Sequence, residues 1–332
     1  MTTDTLSDVL RSVRLRGAVF YYLSFGNEWA VEAPPATEIA GAVLPGAEHV
    51  MEYHVVTKGR GWAAIVGEPP VQLETGDIVM FPHGDAHVLS SAPGIRPTRL
   101  VPDWVYATRD NPKPIPIVFH TLYEFTCGTP APESLNNVAC GFLGCDLRPF
   151  NPLLATLPRL LHLPAGGDGA WISQVMLQAV NASQEKRPGG EAVLERISEM
   201  MFVDAVRRYV ERLPEESTGW LAGLRDRQVG RALALMHESP ARAWTIDALA
   251  NDVGLSRSAF YERFLRLIGQ PPMHYLTQCR MAAAATLLRQ SRAPIVSIAL
   301  DVGYESEAAF ARAFKRLVGT PPARWRRIQN GE

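Results

Sequence analysis

The sequence predicts a multidomain α+β protein: an N-terminal β-barrel with accessory helices, then a C-terminal all-α domain with two helix-turn-helix motifs. Three observations carry this. Residues 17–147 consist of short runs rich in Val, Ile, Phe, Tyr and Thr, separated by Gly, Pro and Asp clusters, the spacing of a compact β-sandwich or barrel. After Phe150 the apolar residues recur at helical spacing instead. In the last hundred residues one pattern is written twice, which marks a supersecondary unit used two times.

Taken in order, residues 4–14 place Leu6, Val9, Leu10 and Val13 on one helical face. Strand runs follow at Gly17–Phe25, Met51–Thr57, Gly61–Val66, Val71–Leu73, Asp77–Phe81, His87–Ser90 and Pro116–Phe125. The proline-rich stretches Glu32–Pro35 and Asp103–Pro116 read as loops, because proline cannot donate to a central ladder. Residues 1–150 are thus the predicted barrel domain.

Residues 151–213 are the accessory helices, where the strands stop. A short helix runs through Leu153, Leu154, Leu157, Leu160 and Leu161, broken at Pro158, and better patterns follow at Ala170–Ala182 and Glu191–Leu213. In the last, Val193/Leu194, Ile197, Met200/Met201, Ala205 and Tyr209 make one apolar stripe. It either completes the barrel core or joins two copies, and the sequence favours the core. Residues 214–224, opening Pro-Glu-Glu-Ser-Thr-Gly, form the predicted linker.

Residues 225–332 hold the repeat. Ile246, Leu249, Ala250 and Val253 fall at helical spacing, and Gly254 provides a stop that tolerates positive φ. Ser256 is placed to cap a second helix, in which Phe260, Phe264 and Leu267 follow i, i+4, i+7. The second copy repeats this with Ile295, Ile298, Ala299, Val302 and Gly303, then Ser306, Phe310, Phe314 and Leu317. From the serine onward the offset is fifty residues, and the extra turn residue is Glu305. Pro272–Gln290, dense in alanine, is a stiff connector between the two copies. With the phenylalanines buried, small and polar residues face outward after a tight turn, as reading a major groove requires. A helical bundle with a merely solvated outer face is the bland alternative for a single copy; two copies in register weigh against it.

Charge agrees. The formal net charge is −1, yet from Arg225 onward 16 Lys/Arg stand against 9 Asp/Glu, a net of +7, leaving −8 for the rest. A basic end on an acidic body suits double-stranded DNA as the partner of that end. No apolar run approaches a membrane span, and the polar N-terminus lacks a signal-peptide pattern, so a cytoplasmic protein without membrane attachment is expected. Four cysteines in such a chain argue against a disulfide scaffold. Neither a nucleophile elbow, a phosphate loop nor a dinucleotide fingerprint is present.

Residues 226–327 resemble the DNA-binding domain of the arabinose-regulator (AraC/XylS) family of bacterial transcription regulators. The resemblance is carried by the Ala250–Gly254 turn, Phe260-x3-Phe264, Gly269-Gln270-Pro271-Pro272, Asp301-Val302-Gly303-Tyr304 and Gly319-Thr320-Pro321-Pro322. It implies that Ser258, Tyr261 and Glu262 of the first motif, and Glu307, Ala311 and Arg312 of the second, approach bases. It also implies that Arg257, Arg263, Arg266, Lys315 and Arg316 meet phosphates, with Arg263 partly packed inward. RNA polymerase contact and a homodimer are expected partnerships.

The stretch Gly76–His87 places Gly, Pro, Gly and His at the spacings of the second cupin motif, and Glu52 with Gly59 resembles the end of the first. The expected histidine pair is poorly kept, with Gly46 and Glu48 in its places and His49 one step off. The resemblance implies a cupin barrel that senses a small molecule, metal or oxidant. A metal-dependent cupin enzyme fused to a DNA-binding domain is the alternative, although only Glu52 and His87 of its ligands are in place. His83 and His87 flank a Pro-x-Gly turn, and Cys140 and Cys145 could bring thiolates near them. Two histidines and two cysteines would suit tetrahedral zinc. Against this, residues 140 and 145 point to opposite faces of a straight strand. A redox thiol switch and plain packing are the other readings of these four residues.

Overall fold

The computed structural model describes residues 6–7, 10, 15–95, 98–99, 102–111, 113–120, 124–127, 134–145, 150–167, 170–184 and 188–329. The chain divides into two compact units. One comprises Arg14–Asp146 with Leu157–Glu211, the other Met1–Val13, Leu147–Thr156 and Arg212–Glu332.

The first unit is built on two sheets. The larger has strand order β10(Phe125–Cys127)-β9(Ile115–Phe119)-β1(Arg16–Phe25)-β11(Asn136–Cys145)-β3(His49–Lys58)-β6(Ile78–Phe81)-β12(Leu161–Leu163). The smaller runs β5(Val71–Glu74)-β4(Arg60–Ile65)-β7(His87–Ser90)-β2(Ala30–Ala33)-β8(Thr98–Arg99). Period-two alternation decides what each strand puts inside. On β11, Val138, Cys140 and Phe142 enter the apolar core beside Leu23, Phe25, Val56 and Phe81. On β3, Val50 and Val56 enter the same core, and Glu52 and His54 share their parity.

The opposite face of β3 and β11 is covered by helix. Gly141 lies flat against Tyr53, where an added Cβ would stand 2.2 Å from the ring carbon Cζ. The Tyr53 hydroxyl donates to Ser198 Oγ at 2.5 Å, and Ser198 in turn donates to Leu194 O at 2.7 Å. Both serine and leucine belong to the long helix Gly190–Arg212.

Several sequence expectations are corrected here. The strand between β1 and β3 is β11, which is missing from the predicted strand runs because its glycines and cysteines dilute the β signal, although residues 140 and 145 read as strand residues. The strands do not stop at Phe150: Leu161–Leu163 is β12, paired antiparallel to β6, and only a 3-10 turn at Leu154–Thr156 precedes it. The loop at Pro34-Pro35 leads into a helix, α1 (Ala36–Val43), with Pro35 at its N-cap, and Pro102–Thr108 is α2, where proline fits the first helical position. Pro116–Phe125 splits into β9 and β10.

The accessory helices are α3 (Ala170–Gln184) and α4 (Gly190–Arg212), both in the barrel unit. Leu194, Met201, Phe202 and Ala205 of α4 are buried, and the helix covers the face of β3 opposite the apolar core instead of entering that core. Val193, Met200 and Val203 are exposed. The buried stripe of α4 is wide enough to take both Met201 and Phe202, and Val193 and Met200 fall outside it. Residues 4–14 fall largely outside the described residues, although Leu6, Ser7 and Leu10 are helical.

In the second unit the predicted linker is shorter than expected. Trp220–Arg225 is already helical, as α5, and buries Trp220 and Leu221. Helices α6 (Arg227–Glu238), α7 (Ile246–Asp252), α8 (Arg257–Ile268), α9 (Pro272–Gln290), α10 (Ile295–Asp301), α11 (Glu307–Val318) and α12 (Pro322–Gln329) follow. Tyr275 of α9, fully buried, accepts from Trp220 Nε1 at 2.6 Å and reaches His237 Nε2 at 2.8 Å. The other end of α9 contributes Met281, Ala284, Ala285 and Leu288 to a core with Phe310, Phe314 and Trp325. One helix thus belongs to both half-cores.

Candidate nucleic-acid interface and buried histidine cluster

The two copies of the sequence repeat fold into two copies of one geometry. Ser256 and Ser306 cap their helices by accepting from Ala259 N and Ala309 N, each at 3.3 Å. Phe260–Phe264 and Phe310–Phe314 ring centroids are both 5.6 Å apart, tilted by 59° and 53°. Gly269 and Gly319 close the helices in the left-handed conformation, φ 78° and 82°, where a side chain would be strained.

Burying both phenylalanines of each helix leaves the other face to solvent. In α8, Arg257, Ser258, Glu262 and Arg266 are exposed and Tyr261 is half-buried. In α11, Glu307, Arg312, Lys315 and Arg316 are exposed, with Ala311 half-buried. Ten of the eleven residues expected on DNA therefore share the outward faces of two equivalent helices.

The exception is Arg263, whose guanidinium binds Asp226 through Nε at 2.9 Å and Nη2 at 2.5 Å. It braces α8 against the start of α6. Arg257 also has a partner, Asp247 at 2.9 Å, but both side chains are more than half exposed, so this pair is held weakly.

The barrel interior holds the chemistry the sequence placed only in part. His87 Nε2 lies 2.6 Å from His54 Nε2 and 3.8 Å from Glu52 Oε2. His54 Nδ1 lies 3.0 Å from Cys140 Sγ. Phe81 stacks on the His87 ring at 3.8 Å. All four polar residues are buried, and Glu52 Oε1 has no hydrogen-bond partner among the described residues.

Hydrogen-bond satisfaction sets the tautomers. Asp85 O, which can only accept, lies 2.8 Å from His87 Nδ1, so that nitrogen carries the proton and Nε2 is bare. It accepts from His54 Nε2–H, and the bare His54 Nδ1 accepts from the Cys140 thiol. Burial pushes the Glu52 carboxyl up to about 8 and the His87 imidazole down to about 4. Burial, with His87 alongside, holds His54 well below its ordinary value, and burial raises the Cys140 thiol. The cluster is therefore a neutral donor set.

The four candidate ligands of the sequence do not converge. His87 and Cys140 join one chain of contacts, linked by His54. His83 instead meets Leu157 O at 3.0 Å. Cys145 is paired opposite His49 on the outer parity of β11, five residues from Cys140. The residue the sequence reading missed is His54. Strand alternation could have found it, because it is two residues from Glu52 and shares its face.

A two-domain chain with a β-barrel and a paired helix-turn-helix unit defines a class, the two-domain DNA-binding transcription regulators. The family model described as Cupin matches residues 4–211, and that described as helix-turn-helix domain matches residues 249–328. A putative AraC-like transcription regulator of Streptomyces lividans is 31% identical over 326 residues, covering 98% of both chains. The regulator AlkR of Acinetobacter baylyi is 26% identical over 97% of this chain and 99% of its own. The solved DNA-binding domain of AdpA with its target DNA is 27% identical, covering 32% of this chain and 95% of that one, with a TM-score of 0.31. The chain belongs to the AraC-like transcription regulators: it is a DNA-binding regulator with a cupin domain.

Proposed function

We propose that this regulator reads two successive major-groove segments through α8 and α11, under the control of an effector bound by its cupin barrel. The observation that carries the reading is the equivalence of the two helices, each capped by serine, closed by a left-handed glycine and presenting mainly polar and small residues on the face opposite its buried phenylalanines. Ser258, Tyr261 and Glu262 of α8, with Glu307, Ala311 and Arg312 of α11, approach bases. Arg257, Arg266, Lys315 and Arg316 neutralise phosphates. The α9 connector, shared by both half-cores, holds the two helices at a set separation, as adjacent grooves about 34 Å apart demand.

The effector acts by binding two conformations unequally. In this reading the protein works as a homodimer through the exposed Val193, Met200 and Val203 of α4 and meets RNA polymerase at the promoter. Site selection from random duplexes with the full chain tests the proposal. A consensus of two blocks about 10 base pairs apart is expected. If Arg312→Ala and Ser258→Ala leave both blocks unchanged, these helices do not read the sequence.

A further inference from the structure

The barrel interior points to a ligand. Two imidazoles turn their Nε2 atoms toward one another at 2.6 Å, and each has its Nδ1 engaged, one by Asp85 O and the other by Cys140 Sγ. For His87, whose Nδ1–H donates to a carbonyl, that is the arrangement of a metal-ligating histidine. Beside them Glu52 offers a carboxyl group whose Oε1 has no hydrogen-bond partner among the described residues. A buried, unsatisfied carboxyl is costly unless something compensates it.

We propose that Glu52, His54 and His87 bind one divalent first-row transition ion of the zinc type, with Cys140 positioning His54. Two donors each about 2.0–2.1 Å from a common ion can stand at most about 4.2 Å apart. The 2.6 Å and 3.8 Å separations fall inside that span, and the three donor atoms all lie within 4.8 Å of one another, so gathering them on one ion takes only a small side-chain adjustment. Nitrogen and carboxylate oxygen donors suit zinc or ferrous iron over the all-oxygen shells of magnesium or calcium.

Binding asks for one local change. When the ion takes both Nε2 atoms, the His54 proton sits on Nδ1 and is donated to Cys140 Sγ. The pair at 3.0 Å accommodates either direction. The stacked Phe81 ring walls one side of the site and keeps it dry. His54, two residues after Glu52, supplies the imidazole that the degraded first motif lacks at Gly46 and Glu48. The inference names a ligand for the barrel read above as the sensor, and rests on that reading only for any effect on DNA affinity.

The full chain, stripped with chelator and dialysed, is titrated with Co2+ and then Zn2+. One Co2+ per chain with visible d–d absorption, displaced by one Zn2+, is expected, together with a higher melting temperature. Glu52→Gln, which keeps shape and removes the charge, and His87→Ala should each weaken binding by at least about tenfold. His83→Ala and Cys145→Ser should leave it within about twofold. Absence of saturable one-per-chain binding by the wild-type protein overturns the proposal without any variant. So does a loss in His83→Ala or Cys145→Ser equal to that in Glu52→Gln. DNA binding by the same preparations is scored separately. Metal binding without sequence-specific DNA binding would overturn the DNA-reading proposal alone, and the reverse would overturn this one alone.

Discussion

Arg263 and Asp226, 37 residues apart in sequence, meet through two guanidinium nitrogens on one carboxylate. The same carboxylate caps α6, its Oδ1 accepting from Gln228 N at 3.1 Å and Val229 N at 2.9 Å. An arginine on the helix expected to face DNA is thereby committed to holding that helix in place. Burial alone would raise the Asp226 carboxyl, but the Arg263 and backbone hydrogen bonds outweigh it and hold it below its ordinary 3.8.

A lowered folded value stabilises the protein above the unfolded value and is lost as pH falls through the folded one. Asp226→Asn should therefore show a flatter stability profile than wild type below about pH 4. Asp226→Ala should cost about 0.5–2 kcal/mol at neutral pH, mostly from the lost cap. The ion pair is partly solvated and adds little more. Urea unfolding across pH checks both. Equal slopes for the Asp226→Asn variant and the wild-type protein at low pH would show that the pair is unimportant.

The repeat supplies an internal control for backbone strain. Gly254 and Gly303 occupy equivalent turns at φ 72° and 83°. A Cβ on Gly254 would meet open space, whereas one on Gly303 would stand 2.5 Å from Ala241 O. Gly254→Ala should cost about 1–2 kcal/mol for the left-handed conformation alone. Gly303→Ala should cost at least about 1 kcal/mol more, because a backbone carbonyl has to move. Chemical denaturation of the two variants measures the difference.

The outer face of α11 should divide base from phosphate contacts. Arg312→Ala should weaken specific binding by about 1–3 kcal/mol and relax preference at one base step. Arg316→Ala should reduce the salt slope by about one with the preferred site unchanged. Arg263→Lys, by contrast, should change stability more than salt slope, since Lys cannot reproduce the two-nitrogen contact. Binding isotherms at several salt concentrations separate the three.

Docking of α4 on the barrel rests on Tyr53. Tyr53→Phe removes the hydroxyl that donates to Ser198 Oγ and should cost about 0.5–1.5 kcal/mol. Gly141→Ala drives a methyl into the ring that Tyr53 lays across it and should cost about 1–3 kcal/mol. Thermal melts of the full chain, monitored in the barrel by near-UV circular dichroism, rank the two.

Elements whose order comes from local rules were readable in the chain. Serine caps, left-handed glycines and phenylalanines four apart specify each helix-turn-helix within about twenty-five residues, and their outer residues follow from the helical period. The cupin motif marked β6 and β7 in the same way. The buried cluster was less legible. His87 was found because its motif is contiguous, but Cys140 was grouped with Cys145 and His83 because their spacing within each pair is short.

The sequence by itself determined two domains, the paired reading helices, and the parity that puts Glu52 and His54 on one face of β3. Only the tertiary structure decided which strands lie side by side. Pairing β11 with β3 sets Cys140 opposite His54 across 86 residues of chain, and folding β7 over them brings His87 to the same point. Arg263, expected to meet phosphates while partly packed inward, is tied to Asp226; that partner was not legible because it is distant in sequence. Periodicity is a property of one strand or one helix, whereas a site is made by contacts between elements, and long-range register is not written in any single stretch.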